Sequence, residues 1–435
     1  MNYQQVKEYI QSIQSGAKIK PGLEVIGNLL ELLGNPQDEL TFIHIAGTNG
    51  KGSTASMISS VLAEGGLKVG RYVSPAVFSE FEKIRWMKGT QTVYISETEF
   101  VDMMEEIRKA IDSMKEHGLS LPTEFEIETA VAFLAFHRWN CDIVVLETGM
   151  GGKLDATNVV KNVQCAVITP IAFDHMKFLG DTIEEIAMEK AGIIKKHVPC
   201  VSYQKDERAW KCLVQVCARQ ESEIGSVEEK EVKLVRTSRR GSVFDYKQYK
   251  EIILPLAGVY QIQNACLALE CIDRIRERYG LTTEQIKRGI ENTKWQGRFE
   301  TINEEPAVVV DGAHNPDGMI SFCDSVNTYF NDYKKIGVMG VFADKDHATM
   351  SRSVFPVFDK IYTVTPPSER GLAAEELAEE LREQAGKEGK MFPVHSCGSI
   401  QEALGKAAGD CQKDKAAIFV FGSLSLLKET YEYFR

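Results

Sequence analysis

The octapeptide Gly47-Thr48-Asn49-Gly50-Lys51-Gly52-Ser53-Thr54 follows a short apolar run, residues 40–46, and opens a stretch with apolar residues at helical spacing. Glycines let a backbone fold tightly enough for its N–H groups to face an anion, and a helix N-terminus adds partial positive charge. Lys51 supplies a full charge for the β- and γ-phosphates of a nucleotide, and Ser53 or Thr54 a hydroxyl for Mg2+. The spacing departs from G-x-x-x-x-G-K-[ST], because Gly52 intervenes between Lys51 and Ser53. A turn alone would not call for a lysine between two glycines directly after a buried strand.

Glu147 ends the apolar run 142–147 and precedes Thr148-Gly149-Met150-Gly151-Gly152-Lys153-Leu154-Asp155-Ala156-Thr157-Asn158. A carboxylate at the end of a parallel strand faces the crevice where α/β sheets bind ligands, and a hard oxygen there suits Mg2+. Asp174-His175 lies just beyond another strand, 165–169, so that Glu147, His175 and a hydroxyl of the phosphate loop could converge on one metal–triphosphate site. Lys190, in Glu189-Lys190-Ala191-Gly192, closes a helix that begins at Thr182 with Glu185 three residues later, the spacing of a capping box. Read alone, it is a cation suited to a helix C-terminus. Further on, Asp311-Gly312-Ala313-His314-Asn315-Pro316 joins a strand to a helix, with Asn315 as N-cap and Pro316 as first helical residue. Asp311 and His314 are then left at the sheet's carboxyl edge. Arg298, beside Gly297, is by itself a linker arginine.

The elements that must position these residues alternate between strand and helix, as in an α/β protein with largely parallel sheets. Helical patterns cover 103–117, 126–139 and 261–279; strands are expected at 307–310, 336–341, 360–364 and 417–421. Between about 221 and 254 the texture turns polar and β-branched, which reads as hairpins at a domain edge, and the run Arg236–Arg240 as a solvated hairpin rather than a phosphate site. The segment 293–301 is the boundary between two series of elements. The expected organisation is an N-terminal P-loop domain with a mostly parallel sheet, 1–297, and a smaller C-terminal Rossmann-like α/β domain, 298–435.

Composition closes off other classes. The chain has 435 residues, 43% hydrophobic and 26% charged, with a net charge of −11. That balance is globular, and its acidity disfavours a nonspecific nucleic-acid or anionic-membrane surface. No apolar run reaches the length of a membrane span and the first residues lack a signal-peptide core, so the chain is expected in the cytoplasm. None of the ten cysteines forms a C-x-x-C pair, which favours buried free thiols over a zinc site.

Taken together, GTNGKGS, ETGMGGKLDATN, FDH, EKAGI, QGRFE and DGAHNP, in that order, resemble the folylpolyglutamate synthase/dihydrofolate synthase family of the Mur ligase superfamily. The resemblance runs from Lys20-Pro21-Gly22-Leu23 to Phe421-Gly422-Ser423-Leu424. It implies an ATP-dependent amide ligase that adds L-glutamate to folates, and also to dihydropteroate, through an acyl phosphate, with ATP as co-substrate. It places Mg2+ on Ser74, Glu147 and His175 with Ser53 near the phosphates, and gives Lys190 as a carbamate that helps hold a second Mg2+. Lys51, Lys190 and His314 are the catalytic candidates. Asn264, Arg298 and Asp311 join Gly47, Thr48, Asn49, Gly50, Lys51, Gly52 and Ser53 as ATP contacts, His314 taking a nucleotide or glutamate role. Thr123, Glu124, Phe125 and Glu126, with Leu154, Asp155 and Ala156, match the segments that line the pterin site. Two positions depart from many relatives: Ala76 stands where they carry His after Ser74-Pro75, and Lys153 where they carry Arg, keeping the charge but losing bidentate geometry. The resemblance further implies a monomer with small-molecule partners, no nucleic acid and no membrane. Two other readings are a Mur-type ligase for a different carboxylate, and a P-loop nucleotide hydrolase without ligase activity. The latter would need the phosphate loop but not Asp311, Arg298 and Lys190 together.

Overall fold

The computed structural model describes residues 1–14, 22–411 and 415–435; Lys20 and Pro21, where the family resemblance begins, lie outside the described residues. The chain forms two compact units. The first comprises Met1–Ile171, Lys177–Glu229 and Asn264–Thr293, and the second Ala172–Met176, Lys230–Gln263 and Lys294–Arg435.

The first unit is built on eight strands: β1 (Phe42–Ala46), β2 (Val69–Tyr72), β3 (Ile84–Lys88), β4 (Gln91–Tyr94), β5 (Ile143–Glu147), β6 (Val163–Ile168), β7 (Cys200–Ser202) and β8 (Ile224–Ser226). Their order is β4-β3-β2-β5-β1-β6-β7-β8, parallel from β2 through β8 and antiparallel at β3 and β4. β1, β5 and β6 are wholly or almost wholly apolar and buried, the pattern of strands covered on both faces. The covering helices read the same way. Helix Lys51–Glu64 is buried from Ser53 to Ala63, and its small Ser and Ala side chains let the helix Thr283–Glu291 approach so closely that a Cβ on Gly289 would stand 2.4 Å from Val61 Cα. Among the described residues, no helix is long and apolar enough to cross a membrane.

The second unit carries a six-stranded sheet of β12 (Glu300–Glu304), β13 (Ala307–Val310), β14 (Lys334–Met339), β15 (Lys360–Thr363), β16 (Val394–Ser396) and β17 (Ala416–Phe421). It must be described together with an antiparallel meander, β9 (Val232–Ser238), β10 (Gly241–Tyr246) and β11 (Tyr249–Leu254). The sheet order is β12-β13-β17-β14-β15-β16, with only β12 antiparallel. Its core centres on Phe299, Phe322, Phe330, Phe358, Phe419 and Phe421, whose rings meet at centroid distances near 4.7–6.4 Å.

A single cut at 297/298 does not describe these units, because two earlier segments, 172–176 and 230–263, fold with the second. The meander is held there by side chains that a linear reading cannot pair. Thr237 Oγ1 lies 2.9 Å from Tyr329 Oη, the Arg239 guanidinium sits over the rings of Phe330 and Tyr333, and Arg240 pairs with Glu304. The hairpin reading of 221–254 needs one revision as well: Ile224–Ser226 is the parallel edge strand of the first sheet. All ten cysteines are free thiols, eight of them buried.

Candidate active site

Strands β2, β5, β1 and β6 are neighbours, and their carboxyl ends lead to Ser74, Glu147, the phosphate loop and Thr169 respectively. The sheet order thus gathers residues that are up to 122 positions apart in sequence at one edge, the usual place for a ligand on an open parallel sheet.

The loop itself is shaped by two glycines. Gly47 has φ +146° and Gly50, which caps the following helix, φ +89°, both in the region that favours glycine. Space makes the same demand: a Cβ on Gly47 would lie 1.8 Å from Thr169 Oγ1, and one on Gly50 2.3 Å from Asn264 Oδ1. Asn264, from helix Tyr260–Tyr279, is therefore seated against the loop. Not every loop amide is available for an anion. The N–H groups of Thr48 and Asn49 donate to Pro170 O at 3.0 and 3.4 Å, whereas first-turn amides such as those of Lys51 and Gly52 face no carbonyl of their own helix.

Two ammonium groups converge on one carbonyl. Lys51 Nζ donates to Gly47 O at 3.2 Å and to Thr48 O at 3.3 Å, and Lys190 Nζ donates to Gly47 O at 2.8 Å. Glu147 Oε1 is 4.0 Å from Lys51 Nζ. Lys190 and Glu147 are each about 4% exposed, so this charge cluster is screened little by solvent.

Lys190 is delivered there by packing between two of the sequence motifs. Its helix, Ile183–Ala191, starts with the Thr182–Glu185 capping box. Its last turn receives the 149–158 loop: Lys153 N donates to Glu189 O at 2.7 Å, and Asn158 Nδ2 donates to Lys153 O and Gly192 O at 3.1 Å each. A Cβ on Gly152 would stand 2.8 Å from both Glu189 O and Lys190 O. Gly152→Ala is accordingly expected to push the loop off that turn, with a loss of about 1–3 kcal/mol in denaturant unfolding and a displaced Lys190; unchanged stability would mean the loop and helix end are not in this contact.

The pterin-segment candidates are placed as follows. Thr123 caps helix Glu124–Arg138 in a capping box with Glu126, so these two side chains are committed to each other. Glu124 is exposed, while the Phe125 ring lies over Gly149, whose Cβ would come within 2.4 Å of it, and faces Tyr72. Asp155 is buried and caps the turn Ala156–Val159; its carboxylate accepts from Met150 N, Thr157 N and Thr157 Oγ1. Burial pushes its carboxyl upward against those bonds. Leu154 is 47% exposed and Ala156 buried.

His175, Arg298, Asp311 and His314 belong to the second unit. Asp311 directly follows β13 and is buried, which raises its carboxyl, while Arg298 and three donors oppose that shift: Tyr260 Oη at 2.6 Å, Phe299 N at 2.8 Å and Ala313 N at 2.6 Å. Gly312 makes room for Arg298, since a Cβ there would lie 2.2 Å from Arg298 Nη1. Asn315 caps the helix Pro316–Tyr329, accepting from Gly318 N, and Pro316 is its first residue. His314 Nδ1 contacts Gly312 O at 2.8 Å, and its Nε2 is 3.7 Å from Asp174 Oδ2.

Asp174 is the centre of a cluster whose main cation the sequence reading missed. Lys345 Nζ is 2.5 Å from Asp174 Oδ1, both side chains are under 10% exposed, and Asn315 Nδ2 donates to Asp174 Oδ2. Burial would raise Asp174, but the hydrogen bond with His314 and the charges of Lys345 and His175 hold it well below the usual carboxylate range. Lys345 lies beyond the carboxyl end of β14, another parallel strand, and that position is the signal that could have marked it. Tyr260 was missed too, an aromatic at a helix start whose partner is 51 residues away.

The residues of the first unit fit a nucleotide phosphate with Mg2+. Gly47 and Gly50 let the loop close against Thr169 and Asn264, and the buried hydroxyls of Thr54, Thr148 and Thr169 have no hydrogen-bond partner among the described residues. A single carboxylate with hydroxyls suits a metal that keeps most of its waters and shares phosphate oxygens. Among the described residues, no three His, Cys, Asp or Glu side chains are grouped to hold a metal by themselves.

A phosphate loop on a parallel sheet, with a second α/β unit bearing an Asp–Arg pair, defines a nucleotide-dependent enzyme of the Mur ligase type. The chain matches the Mur ligase middle domain over residues 45–272 and the Mur ligase glutamate ligase domain over 297–424. It is 33% identical over 367 residues to the dihydrofolate synthase/folylpolyglutamate synthase of Bacillus subtilis, covering 82% of this chain and 84% of that one. It is 32% identical over 438 residues to the folylpolyglutamate synthase of Lacticaseibacillus casei, covering 98% and 97%. The crystal structure of Mycobacterium tuberculosis folylpolyglutamate synthase, solved with ADP and AMPPCP, superposes with a TM-score of 0.86 at 30% identity over 99% of this chain and 98% of that one. The chain belongs to the folylpolyglutamate synthase/dihydrofolate synthase family of Mur ligases.

Proposed function

We propose that this enzyme uses MgATP to join L-glutamate to the carboxylate of a folate, and of dihydropteroate, through an acyl phosphate. The observation that carries the reading is the meeting of Lys51 and Lys190 on the Gly47 carbonyl with Glu147 at 4.0 Å, at the edge where four parallel strands end. A carboxylate oxygen attacks the γ-phosphorus and ADP leaves. The glutamate nitrogen then attacks the acyl carbon, loses a proton, and inorganic phosphate departs. Both partners of the first step are anions, so the loop must neutralise charge that builds as they approach.

In this reading Lys51 turns from the loop carbonyls to the phosphates, and the first-turn amides take the β-phosphate. Glu147, Ser74, His175 and Ser53 would hold Mg2+, which supplies charge neutralisation on the phosphate oxygens when bound. Lys190, as a carbamate, would hold a second ion. Asn264 lies against the loop, while Arg298 and Asp311 serve the nucleotide; His314 takes a nucleotide or glutamate role. The apolar surface of Phe125 and Leu154 serves the pterin. The enzyme acts as a monomer in the cytoplasm.

The test is ADP release from MgATP with dihydropteroate or tetrahydrofolate, each with and without L-glutamate. Release that needs a pterin and glutamate together is the expected result, and release indifferent to every pterin would sink the folate reading.

A further inference from the structure

The 149–158 loop is tied to the centre of the sheet by a buried side chain that none of the chemistry above uses. His44 lies on β1, three residues before the phosphate loop, level with Leu146 of β5 and Ala166 of β6. It is fully buried, and burial, with the Lys195 charge nearby, brings its imidazole down to about 3, so the ring is neutral. Its Nε2 is 2.9 Å from Thr157 Oγ1. Thr157 has one hydroxyl hydrogen and gives it to Asp155 Oδ1 at 2.5 Å, so it accepts from His44 Nε2–H. The tautomer follows, and the other ring nitrogen, Nδ1, has no hydrogen-bond partner among the described residues.

An imidazole in this position is costly. An aliphatic side chain would fill the same space between strands without burying an unsatisfied nitrogen. What the ring contributes in return is the bond to Thr157. Through it, Asp155 is oriented to receive Met150 N on its other oxygen, at 2.8 Å, which closes the loop that presents Leu154.

We propose that His44 is a positioning residue for the pterin substrate, acting through Thr157 and Asp155 to hold the 149–158 loop in its binding shape. This rests on the assignment of that loop to the pterin. The hydrogen bonds of the relay do not reach the Gly47 and Thr48 carbonyls that receive Lys51 and Lys190; the loop meets the Lys190 turn at its other side, through Gly152, Lys153 and Asn158, so the pterin is expected to lose more affinity than the nucleotide.

The experiment compares Thr157→Val, which removes the hydroxyl at constant shape, with Thr157→Ser, which keeps it, and adds His44→Leu. Dissociation constants for dihydropteroate and for AMPPCP are measured separately on each folded protein, with KM and kcat alongside. The inference expects Thr157→Val and His44→Leu to weaken dihydropteroate at least tenfold and AMPPCP no more than threefold, with Thr157→Ser within threefold of the parent for both. Unchanged dihydropteroate affinity in Thr157→Val overturns it, and so does an equal loss of both ligands, since that is what a merely structural role would give. Should His44→Leu fail to fold, the threonine pair decides alone. A parent enzyme that binds AMPPCP but no pterin is a different failure, seen before any variant is made, and it overturns the folate assignment and this inference with it.

Discussion

Lys51→Ala should lower kcat/KM for ligation about 10³-fold, the scale expected when one preorganised positive group is removed from a developing oxyanion. The fold should survive the change. Lys51 Nζ donates to two carbonyls of its own loop and lies 4.0 Å from Glu147, while helix Lys51–Glu64 is held by its buried residues Ser53 to Ala63 and by Gly289 packing on Val61, nearly three turns later. A thermal unfolding midpoint within a few degrees of the parent is therefore expected beside the lost turnover. Turnover within tenfold of the parent would remove Lys51 from the phosphate site, and with it the anchor of the mechanism.

Glu147→Gln is the second large effect, and it acts differently. The change is nearly isosteric, but it takes the one carboxylate away from a buried cluster in which two ammonium groups already meet on Gly47 O. The cluster loses the carboxylate that faces Lys51, and a Mg2+ held there as proposed would lose a carboxylate ligand. We expect kcat to fall about 10²–10³-fold and the Mg2+ concentration for half-maximal rate to rise at least tenfold. An unchanged Mg2+ midpoint would show that Glu147 does not hold the ion, whatever the change in rate.

Much of this site was legible because each motif is a local strand–turn–helix unit whose chemistry is readable in place. Gly47 to Thr54, Glu147 and Asp311 to Pro316 each sit where a short apolar run stops, and the cap at Asn315 and the box at Thr182–Glu185 follow from spacing alone. The same spacing stands at Thr123–Glu126, where assignment to the pterin segment obscured a plain capping box. What could not be read was long-range. Periodicity does not say that β5 lies between β2 and β1, which is what brings Ser74, Glu147 and the phosphate loop to adjacent strand ends. Nor does it reveal that 172–176 and 230–263 fold with the C-terminal unit, because the partners that hold them, Lys345, Tyr329 and Tyr333, are about 90 or more positions away. His44 reads as one more residue of an apolar strand until Thr157 is found beside it.

The central claim is that the site makes an acyl phosphate, and isotope transfer tests it most directly. Dihydropteroate labelled with 18O in its carboxylate is turned over with MgATP and L-glutamate, and the inorganic phosphate is analysed by mass. Because the carboxylate oxygen that attacks the γ-phosphorus stays on phosphorus when the amine displaces it, one 18O per phosphate released is predicted. Phosphate carrying no label, with its new oxygen drawn from water, would mean that ATP is simply hydrolysed and that no acyl phosphate forms.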